Sequence, residues 1–145
     1  MSARIFRTET QEETVALGEL LAAELPARAV VLLIGELGAG KTTLAKGIVN
    51  GLGAAPPEEV SSPTFTIIHE YEGQRRVFHI DLYRLETARE AEALGLEEIL
   101  DREAVVLVEW GERFPDLWPP GHVEIRIEAP EGETRVFSLT GWPRE

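Results

Sequence analysis

The run Gly35-Glu-Leu-Gly-Ala-Gly40-Lys41-Thr42 constrains this chain more than any other segment. It fits G-x-x-x-x-G-K-[ST], the pattern of a loop that cradles phosphate. Phosphate oxygens need several backbone N–H groups pointing inward, so side chains must be absent where the chain curls. The run before it, Ala29-Val-Val-Leu-Leu-Ile34, is wholly apolar, as in a strand buried on both faces of a parallel sheet. The run after it carries apolar residues at Leu44, Ala45, Ile48, Val49 and Leu52, a helical spacing that Gly53 stops. Strand, glycine-rich turn and helix N-terminus in that order make an anion site.

The rest of the chain supports one architecture. Thr10 to Glu13 reads T-x-x-E, a capping box, and Leu17, Leu20, Leu21 and Leu25 continue it as an amphipathic helix from about Gln11 to Leu25, ended by Pro26. Phe65 to Tyr71 and Val77 to Leu82 are β-rich and separated by a short turn, which predicts a hairpin. Glu86 to Leu100 is helical but broken near Gly95. Ala104-Val-Val-Leu-Val108 is a second apolar strand. Val123–Ile127 and Arg135–Leu139 alternate, predicting an antiparallel edge pair around Pro130-Glu-Gly-Glu133. The expectation is one α/β domain over residues 1–145. It has three layers: a mixed sheet of the P-loop NTPase kind with antiparallel hairpins, flanked by helices.

A phosphate loop needs a carboxylate at the end of a neighbouring buried strand to hold Mg²⁺. Glu109, which ends the second apolar strand, is the candidate; the alternative is a solvated strand end. Lys41 faces the β- and γ-phosphates in such a site and the Thr42 hydroxyl ligates Mg²⁺. In Phe78-His-Ile-Asp81-Leu-Tyr83, alternation puts His79 and Asp81 on one strand face. Asp81 fits a role in orienting the attacking water, or a structural pairing with Arg84, and His79 fits a structural role. Ser61-Ser-Pro-Thr64 reads equally as a switch-like loop that offers a threonine hydroxyl and as a proline-stiffened strand entry. Trp110 is either packing or a gate beside Glu109. No arginine stands out as one that completes a transition state, so the chain reads as slow by itself.

Charge and composition narrow the partners. The net charge of −12 disfavours tight binding of nucleic acid by this chain alone. The absence of cysteine excludes a disulfide scaffold and a cysteine nucleophile. No apolar run approaches the ~20 residues of a membrane span, and the first residues lack the apolar core of a secretory signal. A cytoplasmic location without membrane attachment is expected.

Four segments together resemble one small family: G-E-L-G-A-G-K-T-T (Gly35–Thr43), S-P-T-F-T (Ser62–Thr66), H-I-D-L-Y-R-L (His79–Leu85) and V-E-W (Val108–Trp110). In this order and within this length they resemble the TsaE family, formerly YjeE, bacterial ATPases required for threonylcarbamoyladenosine synthesis in tRNA. The resemblance implies binding of ATP and Mg²⁺, slow hydrolysis to ADP, and association with a TsaD–TsaB heterodimer. It implies nucleotide contacts at Glu36, Leu37, Gly38, Ala39, Gly40, Lys41, Thr42 and Thr43, metal ligation by Thr42 and Glu109, and catalytic roles for Asp81 and Lys41. Thr10 and Gln11 are similar, more loosely, to the part of the family that touches the base. Beyond Pro115 the resemblance assigns no role.

Overall fold

The computed structural model describes residues 4–36, 38–63 and 67–142. Seven strands form one sheet: β1 (Arg4–Thr8), β2 (Ala29–Ile34), β3 (Ile68–Glu72), β4 (Arg76–Asp81), β5 (Val105–Glu109), β6 (Val123–Glu131) and β7 (Thr134–Thr140). Their order across the sheet is β1-β7-β6-β2-β5-β4-β3. The four inner strands β6, β2, β5 and β4 run parallel, and β3, β7 and β1 attach antiparallel at the two sides. The three-layer mixed α/β sheet with antiparallel additions is therefore what the chain adopts.

Alternation along the strands divides the core in two. Val31 and Leu33 of β2, Val105 and Leu107 of β5, and Ile125 of β6 face the long helices α1 (Gln11–Ala22) and α2 (Lys41–Gly51). Leu32, Ile34, Phe78, Ile80, Val106 and Val108 face the opposite layer. There the short helices α3 (Ala88–Glu92) and α4 (Leu96–Leu100) meet at Gly95, whose φ of 84° interrupts the helical run where the sequence placed a break.

Three expectations need correction. The pair Val123–Ile127 and Arg135–Leu139 does not lie at the edge: β6 bonds to β2 on its other side, and β7 is covered by β1. Such non-local pairing has no signature within the segment itself. The strand β1 was not foreseen, because Arg4-Ile-Phe-Arg-Thr8 offers only five residues with the apolar side at Phe6 partly buried. Helix α1 ends at Ala22, short of Leu25, and Leu20 stands 70% exposed instead of joining the apolar stripe. The hairpin of β3 and β4 forms as expected, in a register that opposes His69 to His79.

Helices α1 and α2 cross with backbone on backbone. A Cβ on Gly47 would lie 2.0 Å from the Val15 carbonyl oxygen, and one on Gly18 would lie 2.6 Å from that of Leu44. Glycine inside a helix costs about 0.5–1 kcal/mol relative to alanine, so the close approach is what keeps it there. Gly47→Ala should therefore reverse the usual gain. Stability measured by urea or thermal unfolding should fall by about 1–3 kcal/mol, as for overpacking, and a stabilised variant would show that the crossing has slack.

Candidate active site

Parallel register brings the acidic residues together. Asp81 on β4 pairs with Glu109 on β5, and Glu109 pairs with Leu33 on β2, one residue before the strand ends and the glycine-rich loop begins. All three strands stop at the same edge of the sheet. That edge, beyond the carboxyl ends of parallel strands, is where α/β sheets bind ligands. A cavity of about 560 Å³ opens there, lined among others by Lys41, Thr42, Asp81, Glu109, Trp110 and Arg135.

The loop curls through left-handed backbone at Gly38 (φ 80°) and Gly40 (φ 106°), closed by a hydrogen bond from the Ala39 N–H to the Glu36 carbonyl at 2.9 Å. Gly40 caps α2 without a side chain, so the first-turn N–H groups of that helix have no side-chain cap. Lys41 is buried, and its ammonium donates to the Gly35 carbonyl at 2.8 Å and lies 3.5 Å from the centre of the Trp110 ring. Burial lowers its pKa from the ordinary 10.5, and the nearby carboxylates, Glu109 foremost, only partly offset this. The site thus holds a desolvated cation against a neutral oxygen and an aromatic face.

Glu109 is buried and is no solvated strand end. Its Oε2 accepts from the Thr42 hydroxyl at 3.1 Å and is 2.7 Å from His79 Nε2. His79 is fully buried, and its Nδ1 has no hydrogen-bond partner. Asp81 accepts from the Tyr83 backbone N–H at 2.8 Å and from the Ser62 hydroxyl at 3.1 Å. The hydroxyl donor at Asp81 thus comes from the Ser61–Pro63 segment, while Thr64 lies outside the described residues. Trp110 follows Glu109 with φ 65°, a left-handed backbone unusual for a bulky residue. Strained backbone of this kind clusters at functional sites, and here it turns the ring over Lys41 and beside Tyr83, 5.1 Å away between ring centres.

The remaining sequence candidates divide. Gly38, Gly40, Thr43 and Gln11 line the cavity. Glu36 and Ala39 line a neighbouring cavity of about 480 Å³ on the other side of the loop. Thr10 caps α1 by accepting from the Glu13 N–H at 3.1 Å and does not line the main cavity; Thr14, one turn on, does. Leu37 lies outside the described residues. One contact and one residue of the site escaped sequence reasoning. The alternation that singled out Asp81 also placed His79 beside it, and could have pointed to the contact with Glu109. Arg135, from β7, reaches the loop across 96 residues and left no local signal.

Comparison with known proteins places the chain in a family. The family model for "Threonylcarbamoyl adenosine biosynthesis protein TsaE" matches residues 8–137. The chain belongs to the TsaE family. It is 41% identical to the tRNA threonylcarbamoyladenosine biosynthesis protein TsaE of Bacillus subtilis over 136 residues, covering 93% of this chain and 84% of that protein. The TsaE of a Nostoc species is 47% identical over 144 residues, covering 94% and 85%. The crystal structure of YdiB from Bacillus subtilis superimposes with a TM-score of 0.79 at 34% identity, covering 99% of this chain and 88% of that one.

The buried lysine and the Asp81 carboxylate each yield a test. Lys41→Met keeps the bulk and removes a charge that burial disfavours. The variant should melt at or a few degrees above the wild type near neutral pH. Because the folded pKa is lowered, the native state binds fewer protons than the unfolded state between that value and 10.5. Wild-type stability should therefore rise relative to the variant as pH climbs through that window, and a fall would contradict the burial argument. Asp81→Asn keeps the shape and loses the charge. If Asp81 orients the attacking water, nucleotide binding should survive while turnover falls by about 10²–10⁴. A structural pairing with Arg84 would instead lower stability by about 1–3 kcal/mol and leave turnover per folded molecule intact.

Proposed function

We propose that this chain binds ATP with Mg²⁺ and hydrolyses it slowly, as the ATPase of tRNA threonylcarbamoyladenosine biosynthesis. In this reading it works with a TsaD–TsaB heterodimer in the cytoplasm. The observation that carries the reading is the convergence of Lys41, Thr42, Glu109 and Asp81 on one cavity at the carboxyl ends of β2, β4 and β5. The relatives' names supply the pathway.

Each residue has a task that its surroundings support. The curled loop and the uncapped start of α2 offer N–H groups to an anion. Lys41 brings the positive charge, and a phosphate oxygen is a stronger acceptor than the neutral Gly35 carbonyl it now meets. Thr42 and Glu109 together form a hard-oxygen pair suited to Mg²⁺, which takes one or two carboxylates and completes its shell with water and substrate phosphate. No group of three or more His, Asp or Glu forms a protein-only metal cage among the described residues, which fits a metal that arrives with its nucleotide. Mg²⁺, when bound, supplies charge neutralisation to the β- and γ-phosphate oxygens. Asp81, held by Tyr83 and Ser62, has its carboxylate in the same cavity to accept from water. No helix among the described residues is long and apolar enough to cross a membrane.

The test is steady-state ATP hydrolysis by the purified chain with and without the TsaD–TsaB pair. A slow basal rate that rises on adding the pair is expected; a rate the pair leaves unchanged would remove the partnership from the proposal. Transfer RNA added alone should bind weakly and be released by moderate salt, since a chain at −12 neutralises few phosphates.

A further inference from the structure

Arg135 sits in the wall of the cavity with its guanidinium on four backbone carbonyls. Nε donates to Ala39 at 2.8 Å and Nη2 to Gly38 at 3.5 Å, both in the phosphate loop. Nη1 donates to Gly132 at 2.7 Å, in the turn between β6 and β7, and to Thr134 at 2.8 Å, the first residue of β7. Among the described residues no carboxylate pairs with it. The turn it grips is itself docked on the start of α1: Glu133 accepts from the Gln11 N–H at 3.1 Å, and the Thr134 hydroxyl donates to Glu9 at 2.9 Å.

A guanidinium is a planar, permanently charged fork, and here it joins two chain segments at once. The consequence lies in the peptide between Ala39 and Gly40. In a trans peptide the C=O and N–H point in opposite directions. Holding the Ala39 carbonyl on Arg135 therefore fixes the Gly40 N–H on the other side of the peptide plane. The Ala39 N–H is already used within the loop, on the Glu36 carbonyl. Gly40 is the N-cap of α2, whose first-turn N–H groups have no side-chain cap. Gly40 leaves room for this arrangement, since a Cβ there would lie 3.3 Å from Arg135 Nε.

We propose that Arg135 is a positioning residue of the anion site, which orients the Ala39–Gly40 peptide so that the loop is set for phosphate before nucleotide arrives. The inference rests on the nucleotide reading given above and adds to it a residue from the C-terminal strand. It predicts a cost that falls on ADP and ATP alike and does not need the metal, because the pinned peptide belongs to the loop and not to the Thr42–Glu109 pair.

The experiment measures ADP affinity by calorimetry without Mg²⁺ for wild type, Arg135→Ala and Arg135→Lys, with the melting temperature of each ligand-free protein and the Gly40 amide signal in a ¹H–¹⁵N spectrum. Arg135→Ala should bind ADP about 10- to 100-fold more weakly, the range for a lost hydrogen bond to a charged group, with a shifted Gly40 amide. Arg135→Lys should recover part of the affinity, since one ammonium cannot span both segments. If Arg135→Ala does not fold, Arg135→Lys decides by the same two readouts. Unchanged ADP affinity and an unmoved Gly40 amide in a folded variant would overturn the inference and show a residue that only staples the β6–β7 turn. A wild type that binds neither ADP nor ATP would instead overturn the nucleotide reading itself.

Discussion

The parallel register of β2, β5 and β4 is the constraint on which the site depends. Asp81 stands beside Glu109, and Glu109 beside Leu33, because hydrogen bonding locks three strands in step. Side chains alternate, so a slip of one residue in either pairing would send a carboxylate to the opposite face of the sheet. The apolar residues below them, Val105 and Leu107 with Val31 and Leu33, enforce that register through burial. The same contacts that make the core thus aim the chemistry.

Two cations, Lys41 and Arg135, face this cavity, and both rest chiefly on neutral carbonyl oxygens. Carboxylates would hold them more strongly, yet would also compete with an incoming phosphate. The buried acids are occupied elsewhere: Glu109 with Thr42 and His79, Asp81 with Ser62 and the Tyr83 backbone. The arrangement fits the proposed polyanion with a divalent metal.

Much of this was legible in the amino-acid order. The glycine pattern located the loop, and strand-end position marked Glu109 where it lies, buried beside Thr42. Period-two alternation placed Asp81 and His79 on one face and gave His79 a structural role without its partner, because no local rule says which side chain waits across the sheet. Arg135 was invisible for a related reason: its partners are 96 residues away, and an arginine in an alternating strand looks like any solvated residue. The inner position of β6 was missed likewise, since its partner β2 precedes it by most of the chain. Short-range physics writes itself into neighbouring letters; pairing between distant segments does not.

The glycine crossing of α1 and α2 has a mechanical meaning. Helices separated by long side chains can slide, because rotamers re-sort as they move. Where Gly47 meets the backbone of Val15 and Gly18 there is nothing to re-sort, and the two helices act as one beam. The glycine-rich loop leads into one end of that beam; Glu133 of the β6–β7 turn is clipped to α1 at Gln11, and Arg135 of β7 is clipped to the loop at Ala39. The glycine-rich loop and the end of β7 are thus fixed to the same pair of helices. Ser62 and Trp110 line the cavity from other segments, and these too are tied to α2, through Lys46 on the Val60 carbonyl and Lys41 under the Trp110 ring.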